Sequence, residues 1–365
     1  MKMTESIVKL TAALARSLAI AALLPLLFIS GSCSRRTGYV SVSGFAQGGT
    51  YTVKFNMDGV SASREDISAS IDSILTLVDT TLSGYNKGSM LSRFNAGEEV
   101  VLNDLFCDIY SFCYDIHDET DGCVDVGAGP LFDIWGFGFS TDSLPSDDIV
   151  KETLATCGIA RLPRTLISGI MLSGRGIVSG QRLTSFGPTL NFNAVAQGYT
   201  CDLVASYLRS IGVKDMLVDI GEIYCEGLNP AGKGWTIAVD RPVDGNQVLG
   251  ADIDGIWTSE GKACGIVTSG NYRKFYMRDG RKYAHTIDPR TGYPVQHSLL
   301  SATIIAPTAA AADAYATYCM VIGLDEAKAF IESHSDIEGY LIHDTGEGMK
   351  EWASSGFTLV STEGR

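Results

Sequence analysis

Asp313 and Thr317 stand four residues apart in a run of alanines. On a helix, residues at that spacing share one face. A carboxylate and a hydroxyl so placed are hard oxygen donors of the kind magnesium takes. Their neighbours are Ala, Tyr, Met, Val and Ile, so much of such a helix would be buried. A buried carboxylate must be paired, hydrogen-bonded or bound to a metal. No Lys or Arg lies between Arg290 and Lys328, so the partner is distant in sequence or is a cation. A plainer reading also fits: a surface Asp, and a Thr bonding back to its own helix. Upstream, His285, Asp288, Arg290 and Thr291 crowd one turn, Asp288-Pro289-Arg290-Thr291-Gly292. A histidine moves protons near neutral pH and an arginine clamps phosphate oxygens. As a turn the segment needs no function, because Asp, Pro and Gly are where turn chemistry wants them.

The elements that must hold these residues follow from local signals. Thr308 after Pro307 is a helix cap, Ala309 to Ile322 is the helix, and Gly323 stops it. Ala302 to Ala306 is a short apolar strand, and a hairpin over Arg278-Asp279-Gly280 delivers His285. Gly48 and Gly49 open a strand running to Phe55. Ser63 caps a helix with Ile67, Ile71, Ile74, Leu75, Val78 and Leu82 at amphipathic spacing, and Leu105, Ile109, Phe112, Cys113 and Ile116 mark a second. A helix is expected over Asp147 to Cys157, and another opens in Asn191 to Tyr199. Met216 to Ile220, Trp235 to Val239 and Lys274 to Met277 read as strands, with a final one over Phe357 to Val360. The irregular alternation predicts an α+β fold of mixed sheets with packed helices.

Residues 1–32 read as a secretory signal: Lys2, Lys9 and Arg16, then an apolar core from Leu18 to Ile29. The core ends in Ile29-Ser30-Gly31-Ser32-Cys33, where small residues before a cysteine resemble a bacterial lipobox with Ser30 in place of the usual leucine. This predicts a chain exported and lipid-anchored through Cys33 to a bacterial membrane, facing the periplasm. An ordinary cleaved signal or an uncleaved anchor are the alternatives. Residues 33–45 then form a tether, 46–345 the folded domain and 346–365 a C-terminal tail. The formal charge of −14 argues against nucleic acid as a partner. Eight cysteines follow Cys33, with no C-x-x-C pair and no zinc spacing. Most sit among apolar residues, which predicts mostly free, buried thiols, with disulfides the alternative outside the cytoplasm.

The stretch from His285 to Thr317 resembles the signature of the FAD:protein FMN transferases, the ApbE-like flavin transferases once labelled thiamine-biosynthesis lipoproteins. Other segments agree. Ser83-Gly84-Tyr85 with Ser89 to Asn95 is similar to "S-x-Y…S-x-x-S-R-x-N". Thr120 to Asp125, Gly129-Pro130-Leu131 and Trp135-Gly136-Phe137-Gly138 resemble "T-x-G-x-x-D…G-P-L…W-G-F-G". Thr268-Ser269-Gly270-Asn271-Tyr272 begins "T-S-G-x-Y-x-x-x-F". Asn191 to Asp202 follows "D-x-x-x-I-A-K-G-Y-x-x-D" with two departures that matter, Asn191 for the usual Asp and Gln197 for the usual Lys. The second removes a cation expected near the FAD.

The resemblance implies two closely packed subdomains with the flavin site between them. It implies that Gly48, Tyr85, Cys123, Val124, Asp125, Asn191, Gln197 and Ile287 bind FAD. Asp313, Thr317 and the Ala194 carbonyl would hold Mg2+, and His285 or Asp288 would take a proton, with His285 preferred. The implied reaction splits FAD at its pyrophosphate, passes FMN to a Thr or Ser hydroxyl of an acceptor protein, and releases AMP. The family's usual acceptors are subunits of sodium-pumping quinone reductases and Rnf-type complexes. An FAD pyrophosphatase, with water as acceptor, and a non-enzymatic flavin-binding lipoprotein are the rival readings.

Overall fold

The computed structural model describes residues 38–137, 144–169, 171–173, 176–177, 188–243, 252–272, 275–278 and 281–361. The signal segment, Cys33, Gly138, Lys274, Asp279 and Gly280 lie outside the described residues. In chain order the first strands are β1 (Tyr39–Ala46) and β2 (Gly49–Asn56), followed by helices α1 (Arg64–Leu82) and α2 (Met90–Asn95). Then come β3 (Glu99–Val101), α3 (Asp104–Glu119), α4 (Gly129–Ile134), α5 (Asp147–Leu154), β4 (Met171–Ser173) and β5 (Gly176–Ile177). Helix α6 (Ala196–Ser210) leads to β6 (Met216–Asp219), β7 (Ile223–Glu226), β8 (Thr236–Asp240), β9 (Ile253–Thr258) and β10 (Cys264–Gly270). The short strands β11 (Phe275–Arg278), β12 (Arg281–Ala284), β13 (Ile287–Asp288) and β14 (Tyr293–Pro294) precede β15 (Leu299–Ala306). Helices α7 (Ala309–Ile322) and α8 (Leu324–Ser333) and strands β16 (Glu338–Asp344), β17 (Met349–Ala353) and β18 (Leu359–Ser361) complete the chain.

An eight-stranded sheet, ordered β1-β2-β6-β7-β10-β15-β16-β17, is the spine. Every neighbouring pair in it is antiparallel. Its central strands are apolar on both faces because both faces are covered. Ile304 turns to the side of α7 and α8, with Ala302, Ala306, Ala312, Ala316 and Ile331. Ile305, its neighbour, turns to the other side with Ile266, Trp235, Trp257 and Tyr340. There the small sheet β18-β9-β8 forms the cover. The period of two decides which residue faces which layer.

Several local signals act as the sequence predicts. The Ser63 and Thr308 side chains accept from the amides of Asp66 and Ala311 and cap α1 and α7, each worth about 1 kcal/mol. Gly323 ends α7 at a φ of 85°. Helix α5 stops at Leu154 rather than Cys157. Two boundary expectations change. Residues 39–45 are not tether: they pair along β2 as an edge strand with Val42 buried, because the two-residue turn Gln47-Gly48 folds the chain back. Both turn residues have positive φ, 51° and 82°, the pattern of a primed hairpin turn. The C-terminal tail, expected to hold one strand over Phe357 to Val360, holds two within residues 346–361. β17 extends the large sheet, β18 pairs with β9, and Phe357 is buried against Tyr340. From Tyr39 onward the expected pair of subdomains is a single compact unit. No helix among the described residues is long and apolar enough to cross a membrane. The eight cysteines after Cys33 are free, and all but Cys107 are buried.

Candidate active site

The site is built on the crossing of α6 and α7, and glycine sets how close the two helices come. A Cβ on Gly198 would lie 2.3 Å from the Ala309 carbonyl oxygen, and one on Gly265 of β10 would lie 2.3 Å from the Ala309 Cα. The start of α7 is therefore seated between α6 and the sheet. Asp202 of α6 accepts from the amides of Ala309 and Ala310, at 2.9 and 2.8 Å. It thus satisfies first-turn N–H groups of α7 that have no partner within the helix. The aspartate that matched the end of a family motif is a positioning residue here. Burial pushes its pKa up to about 6, against the pull of those two amides.

Asp313 is one turn further along α7 and only 5% exposed. Its Oδ2 accepts from the Gly198 amide at 3.1 Å. Burial pushes its pKa up to about 8; the Gly198 bond opposes the rise and the nearby Asp202 adds to it. Thr317 follows on α7, half-buried. Ala194 lies just before α6 and packs on the cluster that holds Val195 and Ala314. Among the described residues no three His, Cys, Asp or Glu side chains converge as a metal cluster. A cation here would rest on one carboxylate with neutral oxygens, which suits a hard ion. A buried acid with a raised pKa and no basic partner among the described residues is an environment that such a cation would relieve.

The segment leading into α6 is held at several points. Asn95 pairs with Leu190 through two bonds of 2.8 Å, one from its amide group to the carbonyl and one from the backbone amide to its oxygen. The Asn191 amide donates to the Val126 carbonyl at 2.7 Å, and the Asn191 side chain accepts from Asn193 N. Gln197 donates from Nε2 to the Ile220 carbonyl at 3.1 Å. Gly221 lies directly against that amide: a Cβ there would be 2.5 Å from Nε2. Gln47 donates to Thr200 Oγ1 at 2.6 Å, which brings the turn carrying Gly48 onto α6.

The serine-rich motif has a structural reason. Ser89 and Ser92 both donate to the Ser83 carbonyl, at 2.6 and 3.0 Å. They fix the loop from which Tyr85 projects, 73% exposed. Asp125 Oδ1 accepts from Gly127 N and Ile159 N at 2.7 and 2.9 Å. Its other oxygen lies 3.8 Å from His117 Nε2. Asp125, His117, Asp121, Gly122, Pro289 and Arg290 line a cavity of about 480 Å³.

The His285 segment closes as a turn, with Thr291 and Gly292 amides donating to the Asp288 carbonyl. Arg290 grips the Asp288 carboxylate with Nε and Nη2, each at 3.0 Å. Both oxygens of the Asp288 carboxylate are thus engaged by Arg290. Trp135 Nε1 donates to the Gly292 carbonyl at 2.7 Å and anchors the turn from outside. His285 sets its ring against Phe137. Beside it Phe137, Tyr276, Tyr283 and Trp135 form a continuous stack, with centroids 5.1, 5.4 and 6.0 Å apart. Tyr276 and Tyr283 are not among the site residues expected from sequence. The signal was the hairpin register, which sets these two directly opposite.

Not every expected residue offers its side chain. Ile287 is buried with Leu131 and Trp135, and Cys123 and Val124 are 2% and 3% exposed. A ligand would meet these three through backbone atoms. The 190s segment, Gln197, the Gly48 turn and Asp313 are brought together around α6. Asp125 and Arg290 share the separate cavity described above.

The ApbE family model matches residues 47–341. The chain is 33% identical to the FAD:protein FMN transferase of Vibrio cholerae over 347 residues, 93% of this chain and 97% of that one. It is also 33% identical to the protein of that name from Escherichia coli K12, over 83% of this chain and 84% of that one. Among solved structures, the flavin transferase ApbE of Vibrio cholerae superposes with a TM-score of 0.71 at 31% identity, over 87% of this chain and 98% of that one. The Pseudomonas stutzeri flavinyl transferase ApbE gives 0.73 at 30% identity, over 87% and 95%. The matched span runs from the Gly48 turn through α6 and α7, and the chain belongs to the ApbE family.

Proposed function

We propose that this chain is an enzyme that transfers FMN from FAD to a Thr or Ser hydroxyl of an acceptor protein, with AMP released. The observation that carries the reading is Asp313: a buried carboxylate without a basic partner among the described residues, beside the start of α6, in a chain whose relatives are named flavin transferases. In this reading the acceptor oxygen attacks the FMN phosphorus, the pyrophosphate P–O bond breaks, and AMP carries away the bridging oxygen. Asp313, Thr317 and the Ala194 carbonyl would hold Mg2+, which supplies charge neutralisation at the pyrophosphate. His285 takes the hydroxyl proton, held in place by a turn that Trp135 and the Asp288–Arg290 pair stiffen. Gln197 offers an amide where the family usually has a cation, and the rigid turns position the reacting groups.

The test is one incubation of purified protein, FAD, magnesium and a flavin-accepting domain. Covalent flavin on the acceptor with equimolar AMP supports transfer. Free FMN with AMP and an unmodified acceptor would instead make the chain an FAD pyrophosphatase. Intact FAD would make it a binding protein. His285→Ala should lose transfer while still binding FAD.

The acceptors proposed by resemblance are subunits of sodium-pumping quinone reductases or Rnf-type complexes. Residues 1–32 and Cys33, outside the described residues, support export and lipid anchoring facing the periplasm. Cys33→Ser should then move the protein from the membrane fraction to the soluble one. A variant still sedimenting with membranes would point to an uncleaved anchor.

A further inference from the structure

The eight-stranded sheet has one narrow seam. β7 and β10 pair over only three residues: Cys225 with Cys264, Tyr224 with Gly265 and Ile223 with Ile266. The adjoining pairs are longer, four residues for β6 with β7 and six for β10 with β15. The seam joins the half of the sheet that carries α6 to the half that carries α7. The site around Gly198 and Asp313 straddles it. At one end of the seam two thiols face each other, with Cys225 Sγ and Cys264 Sγ 3.8 Å apart.

We propose that Cys225 and Cys264 form a cross-strand disulfide that fastens this seam when the protein meets a disulfide oxidant. Directly opposed residues of an antiparallel pair have Cα atoms about 4.5–5.5 Å apart, inside the disulfide range of roughly 4.4–6.8 Å. Side-chain rotation is then enough to bring the sulfurs to bonding distance. The order of the steps follows from exposure. Cys264 is 6% exposed and Cys225 0%. The two thiols share one S–H···S contact in which either can donate, so the greater exposure of Cys264 sets which meets the oxidant first. Cys264 is therefore the attacking thiolate. It displaces one glutathione from glutathione disulfide and forms a mixed disulfide. Cys225, as its proton leaves, attacks the Cys264 sulfur and displaces the second glutathione. Two protein thiols are oxidised, one glutathione disulfide is reduced to two thiols, and the two protons end on those thiols. The surroundings are apolar, with Trp235, Trp257 and Ile266 nearby, so a bond once formed is shielded from exchange. The inference stands on the seam geometry and does not depend on the flavin reading or on export.

The two cysteines lie 39 residues apart in the chain. Closing a loop of that size stabilises a protein in the range that raises Tm by about 5–10 °C. The experiment takes the whole folded chain, with and without glutathione disulfide, blocks remaining thiols with N-ethylmaleimide, and maps peptides without reduction. A parallel sample is refolded in a glutathione redox buffer, so that a buried pair cannot escape for want of access. The expected result is one linkage, Cys225 to Cys264, in at least the refolded sample. It should bring a rise in Tm that dithiothreitol reverses and that Cys225→Ser and Cys264→Ser both lack. Full alkylation of both cysteines in both samples overturns the proposal. So does a linkage to other cysteines, or an equal Tm rise in the serine variants.

Discussion

Asp313→Asn isolates the electrostatics of the α6–α7 crossing. The amide is isosteric and its oxygen can still accept from Gly198 N, but it carries no charge and does not titrate. In the wild-type protein burial lifts the Asp313 pKa to about 8, against about 3.9 in an unfolded chain. The folded state therefore holds a proton that the unfolded state releases between these values. Stability from this group is fully present below about pH 4 and is lost as pH rises through 8. Each pH unit inside the window costs about 1.4 kcal/mol, so the loss from pH 5 to pH 8 is on the order of 3–4 kcal/mol. For a chain of this size that lowers Tm by about 5 °C or more. The asparagine variant carries a fixed penalty for its buried NH2 group, about 1–3 kcal/mol, that does not change with pH. The assay is thermal unfolding in metal-free buffer at pH 5, 6, 7 and 8, reading the difference between wild type and variant so that titrating groups other than the neighbouring Asp202 cancel. The wild-type advantage should shrink with pH, and the order of the two should reverse between about pH 5 and pH 6, where the accumulated loss passes the fixed penalty of about 1–3 kcal/mol. Magnesium well above its Kd should restore the wild type at pH 8 by about 2–3 kcal/mol and leave the variant unmoved. Transfer of FMN should be lost in the variant at every pH. Parallel curves for the two proteins would refute the burial argument, and an equal magnesium shift in both would place the metal elsewhere.

Three further outcomes follow from single contacts. Gly198→Ala places a Cβ 2.3 Å from a backbone oxygen that cannot swing aside; it should lower Tm by about 5 °C or more, and a wild-type Tm would mean that α6 and α7 can separate cheaply. Trp135→Phe keeps the ring stack but leaves the Gly292 carbonyl without its 2.7 Å donor, costing about 1–3 kcal/mol; differential scanning calorimetry should show the loss, with slower FMN transfer as the His285 turn loosens. Gln197→Lys puts a cation at the start of α6, where Nε2 now meets the Ile220 carbonyl. FAD binding followed by flavin fluorescence should tighten by about tenfold at most, more at low salt, and weaker binding would show that the side chain does not face the phosphates.

Some of this molecule is legible without coordinates because the physics is local. The α7 boundaries follow from Thr308, the alanine run and Gly323, since capping and helix propensity act over a few residues. The turn at Asp288 closes as its residues dictate, because Pro and Gly restrict φ wherever they stand. The apolar neighbours of Asp313 left a buried and a surface carboxylate both open, and the packed structure buries it. Other features depend on what chain folding brings together over long distances. Nothing near Asp202 says that it caps a helix 107 residues later. Nothing near Trp135 says that its indole holds Gly292, 157 residues on. Tyr276 and Tyr283 look like ordinary strand aromatics until the register sets them opposite each other beside Phe137 and Trp135. The edge strand at 39–46 reads as tether in sequence because a polar, glycine-bounded edge strand carries a weak apolar signal, and only its partner β2 reveals it. Sequence determined which residues could do chemistry and the short elements that carry them. Tertiary structure decided which of them meet, because a glycine seat, a buried carboxylate and a sheet seam exist only once distant segments are packed against each other.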